Sequence, residues 1–315
     1  MSCIAIAILG HALNAVAFIV DKILLSVAFK KSASYATMIG CLSFLAVLVI
    51  PWVHTWPGLH LLPVIVAFGG LFVLALWAFF EALKHGEASR VVPLVGSSIP
   101  VCTLIGSLLI LHQGLSAWQG IGFLFLLVAT GLLASGSSKH ALTRESLFFS
   151  LLAAGLFALS SVCGKYAFDH GDFLGIFLIS RLAAGITGMV IGLSVPGVVY
   201  ELWTMGGQPR SKKGSKERRH LPEFSPRVTR LLAIFGQVCG ALGFVGVTIA
   251  LSRGNASLVN ALQATQYAFI VLVGWFGTKR IRALLKEDRQ PKTMMLKTLA
   301  ILCVGTGLAC LVRGS

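Results

Sequence analysis

The sequence predicts an all-α integral membrane protein built from two homologous halves. Three observations predict this: the chain is strongly apolar, it divides into ten apolar runs, and one junction between two runs occurs twice. Hydrophobic residues make up 56% of the 315 residues and charged residues 12%, and the mean hydropathy is +0.87. Soluble domains carry roughly a quarter charged residues, so a soluble fold is excluded.

Ten apolar runs are long enough to cross a bilayer as helices. A helix rises about 1.5 Å per residue, so roughly 20 apolar residues cross the ~30 Å hydrocarbon core. Backbone amides in lipid must bond within their own segment, which favours helices. The first run has no basic stretch before it and is too long for a signal peptide, so it is predicted to stay as a span. The predicted spans are 3–28, 35–56, 60–83, 89–111, 117–136, 146–168, 173–200, 229–252, 256–278 and 294–312.

The duplicated junction links span three to span four and span eight to span nine. Ala82–Ser89 reads ALKHGEAS, and Ala250–Ser257 reads ALSRGNAS, 168 residues later. Each copy ends one apolar run, turns at a glycine and starts the next run. Such internal duplication indicates two homologous membrane halves, which commonly build a transport path between them.

The lysines and arginines are distributed very unevenly between the two sides. Loops that follow odd-numbered spans hold 21 of them, including eight between Arg210 and Arg230 and seven between Lys279 and Lys297, whereas the opposite loops hold only Arg253. The positive-inside rule therefore predicts that the odd-numbered loops are cytoplasmic and that both termini lie outside. The basic loop 201–230 is predicted to be flexible and to attract anionic lipid headgroups, and 279–292 to form a short interfacial helix.

Specific residues give the chain a resemblance to the EamA-like branch of the drug/metabolite transporter superfamily. The resemblance covers nearly the whole length. It rests on the two Ala-Leu-x-x-Gly-x-Ala-Ser junctions, on Pro93 and Pro100 in span four, on Trp118–Gly122 at the start of span five and on Gly305–Gly307 in span ten. The chain departs from the family pattern at His112-Gln113-Gly114, where an acidic residue and a basic loop are common. It also departs in its predicted outside termini.

The resemblance implies ten helices arranged as two five-helix repeats, 1–140 and 141–315. Because five is odd, the second repeat would be inverted in the membrane, and a site between inverted repeats can open to either side by rocking. Relatives of this kind move small metabolites such as amino acids, sugars and nucleotide derivatives, and some move lipid-linked sugars. The implied function is a secondary transporter.

Three cations inside predicted spans are the first candidates for substrate binding: Lys22, Lys165 and Arg181. A charged side chain at the helix centre costs about 2.5–3.5 kcal/mol on insertion scales, so it needs a partner or a role. Either lysine could instead snorkel to the interface. Asp169 and Asp172 could partner Lys165 or Arg181; without such neutralisation the cavity would be basic and would suit phosphate or carboxylate.

Polar residues in the spans are the second set of candidates. Asn260, Gln263 and Tyr267 share one face of span nine, with Gln266 beside them, and they predict either interhelical hydrogen bonds or a substrate-lining wall. Weaker candidates are His11, Asn14, Ser97, Ser98 and Gln237. Glu81 is expected to pair with Lys84, three residues on, with a proton-coupling role as the alternative.

Three transport functions compete. A transporter of a small polar or anionic metabolite leads. A flippase for a polyprenyl-phosphate-linked sugar would also need cations, but with a lateral opening to lipid. A proton-coupled exporter of hydrophobic cations would need a deep unpaired carboxylate. A non-transport role in assembly or signalling would predict no polar chamber.

Several other classes are set aside at this stage. The sequence has no GxSxG, HExxH or GxxxxGK[ST] motif, so neither an enzyme nor an ATP-driven pump is predicted. The seven cysteines all fall in spans without a CxxC or Cys/His cluster, which predicts neither disulfides nor a metal site, and no cofactor. The basic runs lack interleaved aromatics, so nucleic acid is not an expected partner. A multi-pass protein of the cell (inner) membrane, monomeric or homodimeric, is expected.

Overall fold

The structure is a computed structural model that describes residues 3–27, 31–86, 88–134, 143–204, 226–276 and 291–314. Within these ranges the chain is helical and has no strand. The helices are α1 Cys3–Val27, α2 Ser32–Leu42, α3 Leu62–His85, α4 Ala88–Ile110, α5 Ala117–Ala134, α6 Arg144–Asp169, α7 Phe173–Ser194, α8 Val198–Thr204, α9 Pro226–Arg253, α10 Ala256–Ala261, α11 Gln263–Phe276 and α12 Pro291–Arg313.

Eight helical segments of the described chain are long and apolar enough to cross a membrane. Two further apolar helices, 94–110 and 117–132, are shorter. The predicted all-helical membrane fold is therefore confirmed in its coarse form. The interfacial helix predicted over 279–292 and most of the basic loop 201–230 lie outside the described residues.

The seventh predicted span is shorter than expected because a proline interrupts it. Predicted over 173–200, the helix ends at Ser194, and the separate helix α8 begins at Val198. Val195 precedes Pro196, whose ring disfavours the helical conformation at the residue before it. Gly197 then turns the chain with a φ of +77°, a left-handed conformation that glycine adopts without strain.

The second span changes helix type halfway along its length. The α-helix α2 continues as a ten-residue 3₁₀ helix, Ser43–Trp52, which contains Pro51 and has no buried residue. Runs of 3₁₀ longer than three or four residues are uncommon and often mark a hinge or strain. This half of the span therefore stands at the edge of the bundle.

The ninth span is also discontinuous. α10 ends at Ala261, Leu262 forms a turn, and α11 begins at Gln263. The Thr265 amide bonds to the Leu262 carbonyl at 2.9 Å, a three-residue step rather than the α-helical four. The break lies among the polar residues of this span and re-aims them relative to a straight helix.

Side-chain caps define the starts of three helices. The Thr143 hydroxyl accepts from the Ser146 amide at the start of α6, and the Asp172 carboxylate accepts from the Leu174 amide at the start of α7. Asn255 does the same for α10. Such caps contribute about 1 kcal/mol each. Asp172 is therefore engaged at a helix end.

Two long helix pairs join the first half of the chain to the second. In the α3–α6 pair, Ser160 Oγ donates to the Phe68 carbonyl at 2.8 Å and Ser146 Oγ donates to the Ala82 carbonyl at 3.1 Å. In the α1–α9 pair, Cys3 Sγ donates to the Ala250 carbonyl at 3.2 Å. In both pairs the start of one helix meets the end of the other, so each pair is antiparallel.

Three further antiparallel contacts also join the two halves. α2 meets α7 where a Cβ on Gly40 would lie 2.8 Å from Gly188 Cα. α5 meets α12 where a Cβ on Gly122 would lie 2.8 Å from the Gly307 carbonyl oxygen. Glycines at these crossings let the backbones approach more closely than any side chain would allow. α4 meets α10 through hydroxyl groups described below.

The outer surface of the bundle is apolar. Large side chains exposed there include Leu48, Leu109, Leu124, Leu193, Ile234 and Leu302. A continuous surface of this kind is a liability in water but is compatible with lipid hydrocarbon. The helical segments are therefore those of a membrane-spanning protein, and polar side chains such as Arg181 and Lys165 are buried inside the bundle.

Candidate functional site

The Arg181 guanidinium lies at the centre of the bundle. The side chain belongs to α7 and is 5% exposed. Its Cζ atom lies 4.1 Å from the ring centroid of Phe244 on α9, 5.2 Å from that of Phe72 and 5.6 Å from that of Phe68, both on α3. These four residues are called the arginine cage below.

The arginine cage lies at depth in the membrane span. Arg181 is nine residues into α7, which places it roughly 13 Å from that end of the helix at 1.5 Å per residue. Phe244 lies a similar distance from the end of α9 that reaches Arg253. Arg181 and Phe244 therefore lie at a similar depth in the bundle, where they meet Phe68 and Phe72 from the first half of the chain.

The Arg181 charge is stabilised by aromatic rings, but two of the three guanidinium nitrogens lack a hydrogen-bond acceptor among the described residues. Nε and Nη2 are both buried and have no hydrogen-bond partner among the described residues. The aromatic faces stabilise a cation by about 0.5–2 kcal/mol per contact, yet they are only weak acceptors for N–H groups. A buried cation with open donors is an attractive position for an anion.

Three partly exposed rings form an apolar surface next to Arg181. The Phe72 ring centroid lies 5.0 Å from that of Phe244 and 5.8 Å from that of Phe157 on α6. All three side chains are half-buried, whereas Phe68 is buried. The surface is therefore shared by α3, α6 and α9.

Lys165 is buried and neutralised. Its Nζ atom lies 2.6 Å from Asp169 Oδ1, one turn further along α6, and 3.5 Å from the Ser252 carbonyl on α9. Gln113 also donates to Asp169 Oδ2 at 3.3 Å. Of the two partners left open by the sequence, Asp169 thus pairs with Lys165 and not with Arg181, while Asp172 caps α7.

The predicted polar face of span nine is engaged in interhelical contacts. Asn260 Nδ2 donates to Thr103 Oγ1 on α4 at 2.9 Å, and Ser257 Oγ lies 3.2 Å from Ser107 Oγ. Gln263 Nε2 donates to the Tyr267 hydroxyl at 3.1 Å, and that hydroxyl donates to the Val92 carbonyl at 3.5 Å. These bonds favour packing over substrate lining for Asn260 and Tyr267.

His11 and Gln266 meet at the break in the ninth span. His11 Nε2 lies 3.0 Å from the Val259 carbonyl, so α1 contacts α10 there. The Gln266 side chain lies beside the same imidazole and is itself buried. This contact is separate from the arginine cage.

The remaining candidates are dispersed. Asn14 packs on α9, where a Cβ on Gly243 would meet Asn14 Oδ1 at 2.3 Å. Ser98 is half-buried on α4. Gln237 on α9 donates to the Tyr35 hydroxyl at 3.5 Å. Lys22 lies within α1, and its side chain is outside the described part of the structure.

Glu81 forms the predicted ion pair with Lys84, at 3.0 Å. His85 Nε2 lies 3.3 Å from the same carboxylate oxygen, and Ser32 donates to the other oxygen. The cluster lies in the last turn of α3, nine residues beyond Phe72, the member of the arginine cage nearest to it on that helix. It joins α3 to the start of α2.

The aromatic members of the arginine cage were not predicted from the sequence. Phe68 and Phe72 lie at i and i+4 on one helix face, but such pairs are common in a chain with 20 phenylalanines. Phe68 and Phe72 become members of the arginine cage only because α3 packs against α6 and α7. Lys297, assigned above to a cytoplasmic loop, lies within α12 with a buried side chain, so that assignment was wrong.

Comparisons with known proteins bear on the fold alone. No family model and no curated protein matches the chain. Among solved structures, 29 chains match. One of these, described only as the crystal structure of a protein, has a TM-score of 0.63 and 14% sequence identity over 99% of this chain and 99% of its own. The chain thus shares its helical fold with a solved structure over almost the full length of both.

Proposed function

We propose that this chain is a secondary transporter that moves a small anionic or polar metabolite by alternating access between two inverted five-helix repeats. Membership of the EamA-like family is part of the same proposal. The observation that carries it is the buried Arg181, whose charge no described carboxylate pairs with, held between helices of the two halves.

The pattern of helix pairs supports the inverted repeats. If α6 corresponds to α1 and α9 to α3, the α3–α6 pair and the α1–α9 pair are equivalent, and both are extensive and antiparallel. The α2–α7 and α5–α12 pairs each join a helix to its own counterpart, and glycine meets glycine in both. These are the contacts expected around a two-fold axis in the membrane plane.

The site's electrostatics support an anionic substrate. Lys165 is neutralised by Asp169 at 2.6 Å, so this pair carries no net charge. Arg181 has no such partner among the described residues, and a guanidinium binds carboxylate or phosphate through two parallel hydrogen bonds. The exporter of hydrophobic cations is disfavoured because a cation already occupies the aromatic cage.

The membrane orientation follows the charge asymmetry. We propose that the ends bearing the α3–α4 turn and the 201–230 loop are cytoplasmic in the cell membrane, with both termini outside. Exposed aromatic residues stand at both boundaries of the apolar bundle, as interfacial belts do. They are Trp52, Trp56 and Trp118 at one end and Tyr200 and Trp203 at the other.

A lipid flippase is the second candidate, and the 3₁₀ half of the second span favours it. Phe44, in that segment, fills the space above Gly185, where a Cβ would lie 2.7 Å from the ring. Gly185 is one turn beyond Arg181 on α7. The 3₁₀ segment therefore separates α7, which carries Arg181, from the surrounding lipid. Displacement of this segment would open a lateral path from the bilayer to α7.

Flux measurements on reconstituted protein test the proposal. Proteoliposomes would be offered radiolabelled amino acids, sugar phosphates, nucleotides and carboxylates, each against protein-free vesicles. We expect uptake or counterflow of at least one anionic compound, abolished by Arg181→Ala and retained by Arg313→Ala, whose guanidinium stacks on Trp118 at the bundle end.

The second candidate has its own readout. Vesicles containing a fluorescent polyprenyl phosphate would be bleached from outside with dithionite, and a flippase would make the inner-leaflet lipid accessible. Lipid movement without solute flux would replace the first candidate with the second. If vesicles that contain folded protein show neither solute flux nor lipid movement, both candidate functions are excluded.

A further inference from the structure

The free edge of the Arg181 guanidinium has the geometry of a bidentate oxyanion site. A guanidinium has two edges on which two N–H bonds run parallel, and Nε with Nη2 form one of them. These are the two nitrogens that have no partner among the described residues. An acceptor with two oxygens in the guanidinium plane would satisfy both donors at once.

The surrounding rings do not satisfy the donors of that edge. Phe244 lies 4.1 Å from Cζ, and Phe72 and Phe68 lie within 5.6 Å. Aromatic rings stabilise the charge of the guanidinium but accept only weakly from its N–H groups, so the buried Nε and Nη2 donors remain unsatisfied. A ligand oxygen therefore gains most by approaching in the plane, along Nε and Nη2.

Among the described residues, the site offers one uncompensated positive charge, which favours a ligand with one negative charge. Arg181 is the cation of the arginine cage, and the Lys165 ammonium is compensated by Asp169 at 2.6 Å. Asp169 also accepts from Gln113, which holds the carboxylate in the ion pair. A second negative charge on the ligand would have no cationic partner among the described residues and would be buried at a large desolvation penalty.

The half-buried rings beside the guanidinium indicate that the rest of the ligand is apolar. Phe72 contacts both Phe157 and Phe244, and all three side chains retain some accessible surface. Burying an apolar group against such rings is favourable in proportion to its area. A ligand of acetate size would leave that surface unused.

We propose that Arg181 Nε and Nη2 form a two-donor subsite for an amphipathic organic monoanion, whose carboxylate or phosphodiester binds the guanidinium edge while its apolar body packs on Phe72, Phe157 and Phe244. This inference rests on the proposed function for its physiological meaning. It narrows the substrate from any polar metabolite to an anion with one charge and an apolar body.

A ligand panel on the wild-type protein tests the two halves of the subsite. Purified full-length protein in a non-ionic detergent would be titrated with 3-phenylpropionate, with acetate as the head alone and with 3-phenylpropanol as the body alone. Phenylmalonate adds a second charge. We expect 3-phenylpropionate to bind at least tenfold more tightly than the other three. Equal binding of phenylpropanol, or tighter binding of phenylmalonate, would overturn the inference.

Substitutions test the two donors directly. Arg181→Lys keeps the charge but loses the parallel donors, so 3-phenylpropionate affinity should fall by roughly tenfold or more, the scale of a charged hydrogen bond. Arg313→Lys, at the end of α12, should bind as the wild type does. Unchanged affinity in Arg181→Lys would overturn the bidentate site, and the wild-type panel decides the matter if that variant fails to fold.

The same measurements separate this inference from the proposed function. Dihexanoyl phosphatidylglycerol, a lipid phosphodiester, serves as a second probe beside 3-phenylpropionate. Tighter binding of the phosphatidylglycerol would indicate that the anion is a lipid, and tighter binding of 3-phenylpropionate would indicate that it is a soluble compound. Arg181-dependent binding without flux in proteoliposomes would keep the subsite and remove the transporter. Flux that survives Arg181→Lys unchanged would keep the transporter and remove the subsite.

Discussion

The Cζ atom of Arg181 lies 4.1 Å from the ring centroid of Phe244, and this contact joins two parts of the bundle. Phe244 is on α9, which packs mainly on α1, whereas Arg181 is on α7, which packs on α2 and α3. The contact therefore couples the α1–α9 pair to the helices on the other side of the arginine cage. Its strength is measurable without knowing the ligand.

A double-mutant cycle between Arg181→Met and Phe244→Leu measures that coupling. We expect an interaction of about 0.5–2 kcal/mol in the free energy of unfolding, the range for a cation over an aromatic ring. Unfolding would be followed in detergent by denaturant titration. The matched cycle between Arg181→Met and Phe148→Leu should show none, because Phe148 is 62% exposed on the outer face of α6. Equal coupling in both cycles would contradict the contact.

The sequence predicted those elements of the fold that depend on periodicity and composition. Helices occupy the predicted apolar runs, and Arg181 was selected because a charge at that depth is costly. Both inferences use one residue or one segment at a time, which is information that a single sequence contains.

What the sequence could not predict depends on which helices meet. The Lys165–Asp169 pair is a local i,i+4 contact on α6, but the second contact of Lys165, with the Ser252 carbonyl, required the approach of α9. The 3₁₀ conversion at Ser43 and the break at Leu262 leave no clear sequence signature. The aromatic cage required helices distant in sequence to converge. Such long-range packing is not encoded in local patterns.

Gly69→Ala should destabilise the α3–α7 contact next to the cage. A Cβ at Gly69 would lie 1.9 Å from the Ser180 carbonyl oxygen, which belongs to the backbone beside Arg181 and cannot rotate away. Overpacking of this kind costs about 1–3 kcal/mol. Gly155→Ala is the control, because no atom lies within 4 Å of its added Cβ.

The two alanine variants are expected to differ in stability, with only Gly69→Ala below the wild type. Alanine is favoured over glycine within a helix by up to about 1 kcal/mol, so Gly155→Ala should unfold at the same temperature as the wild type or higher. Gly69→Ala should unfold at a lower temperature in the same detergent. A Gly69→Ala protein as stable as Gly155→Ala would show that α3 and α7 are further apart than described.

Asp169→Asn should leave the buried Lys165 ammonium without a counter-charge. Lys165 is 6% exposed, and leaving a buried polar group unsatisfied costs about 1–3 kcal/mol. The free energy of unfolding should fall by that amount. Glu145→Gln, which alters an exposed carboxylate at the other end of α6, should have little effect.

Adding Lys165→Met to Asp169→Asn should restore most of the lost stability, because an apolar side chain removes the uncompensated charge. A double variant less stable than Asp169→Asn would contradict this account.

Asn260 distinguishes a packing role from a substrate-lining role for the polar face of the ninth span. Its amide already donates to Thr103 Oγ1 at 2.9 Å, and the Thr103 hydroxyl in turn donates to the Ile99 carbonyl at 2.8 Å. Asn260→Leu should therefore lower the free energy of unfolding by about 0.5–1.5 kcal/mol, the usual net contribution of one hydrogen bond. Thr103→Val removes the same bond from the other side, so the double variant should lose less stability than the sum of the two single losses.

Because the Asn260 amide is hydrogen-bonded to α4, flux per folded protein in proteoliposomes should be unchanged in Asn260→Leu. A fall in flux with unchanged stability would instead assign Asn260 to the substrate path and make the contact with Thr103 incidental.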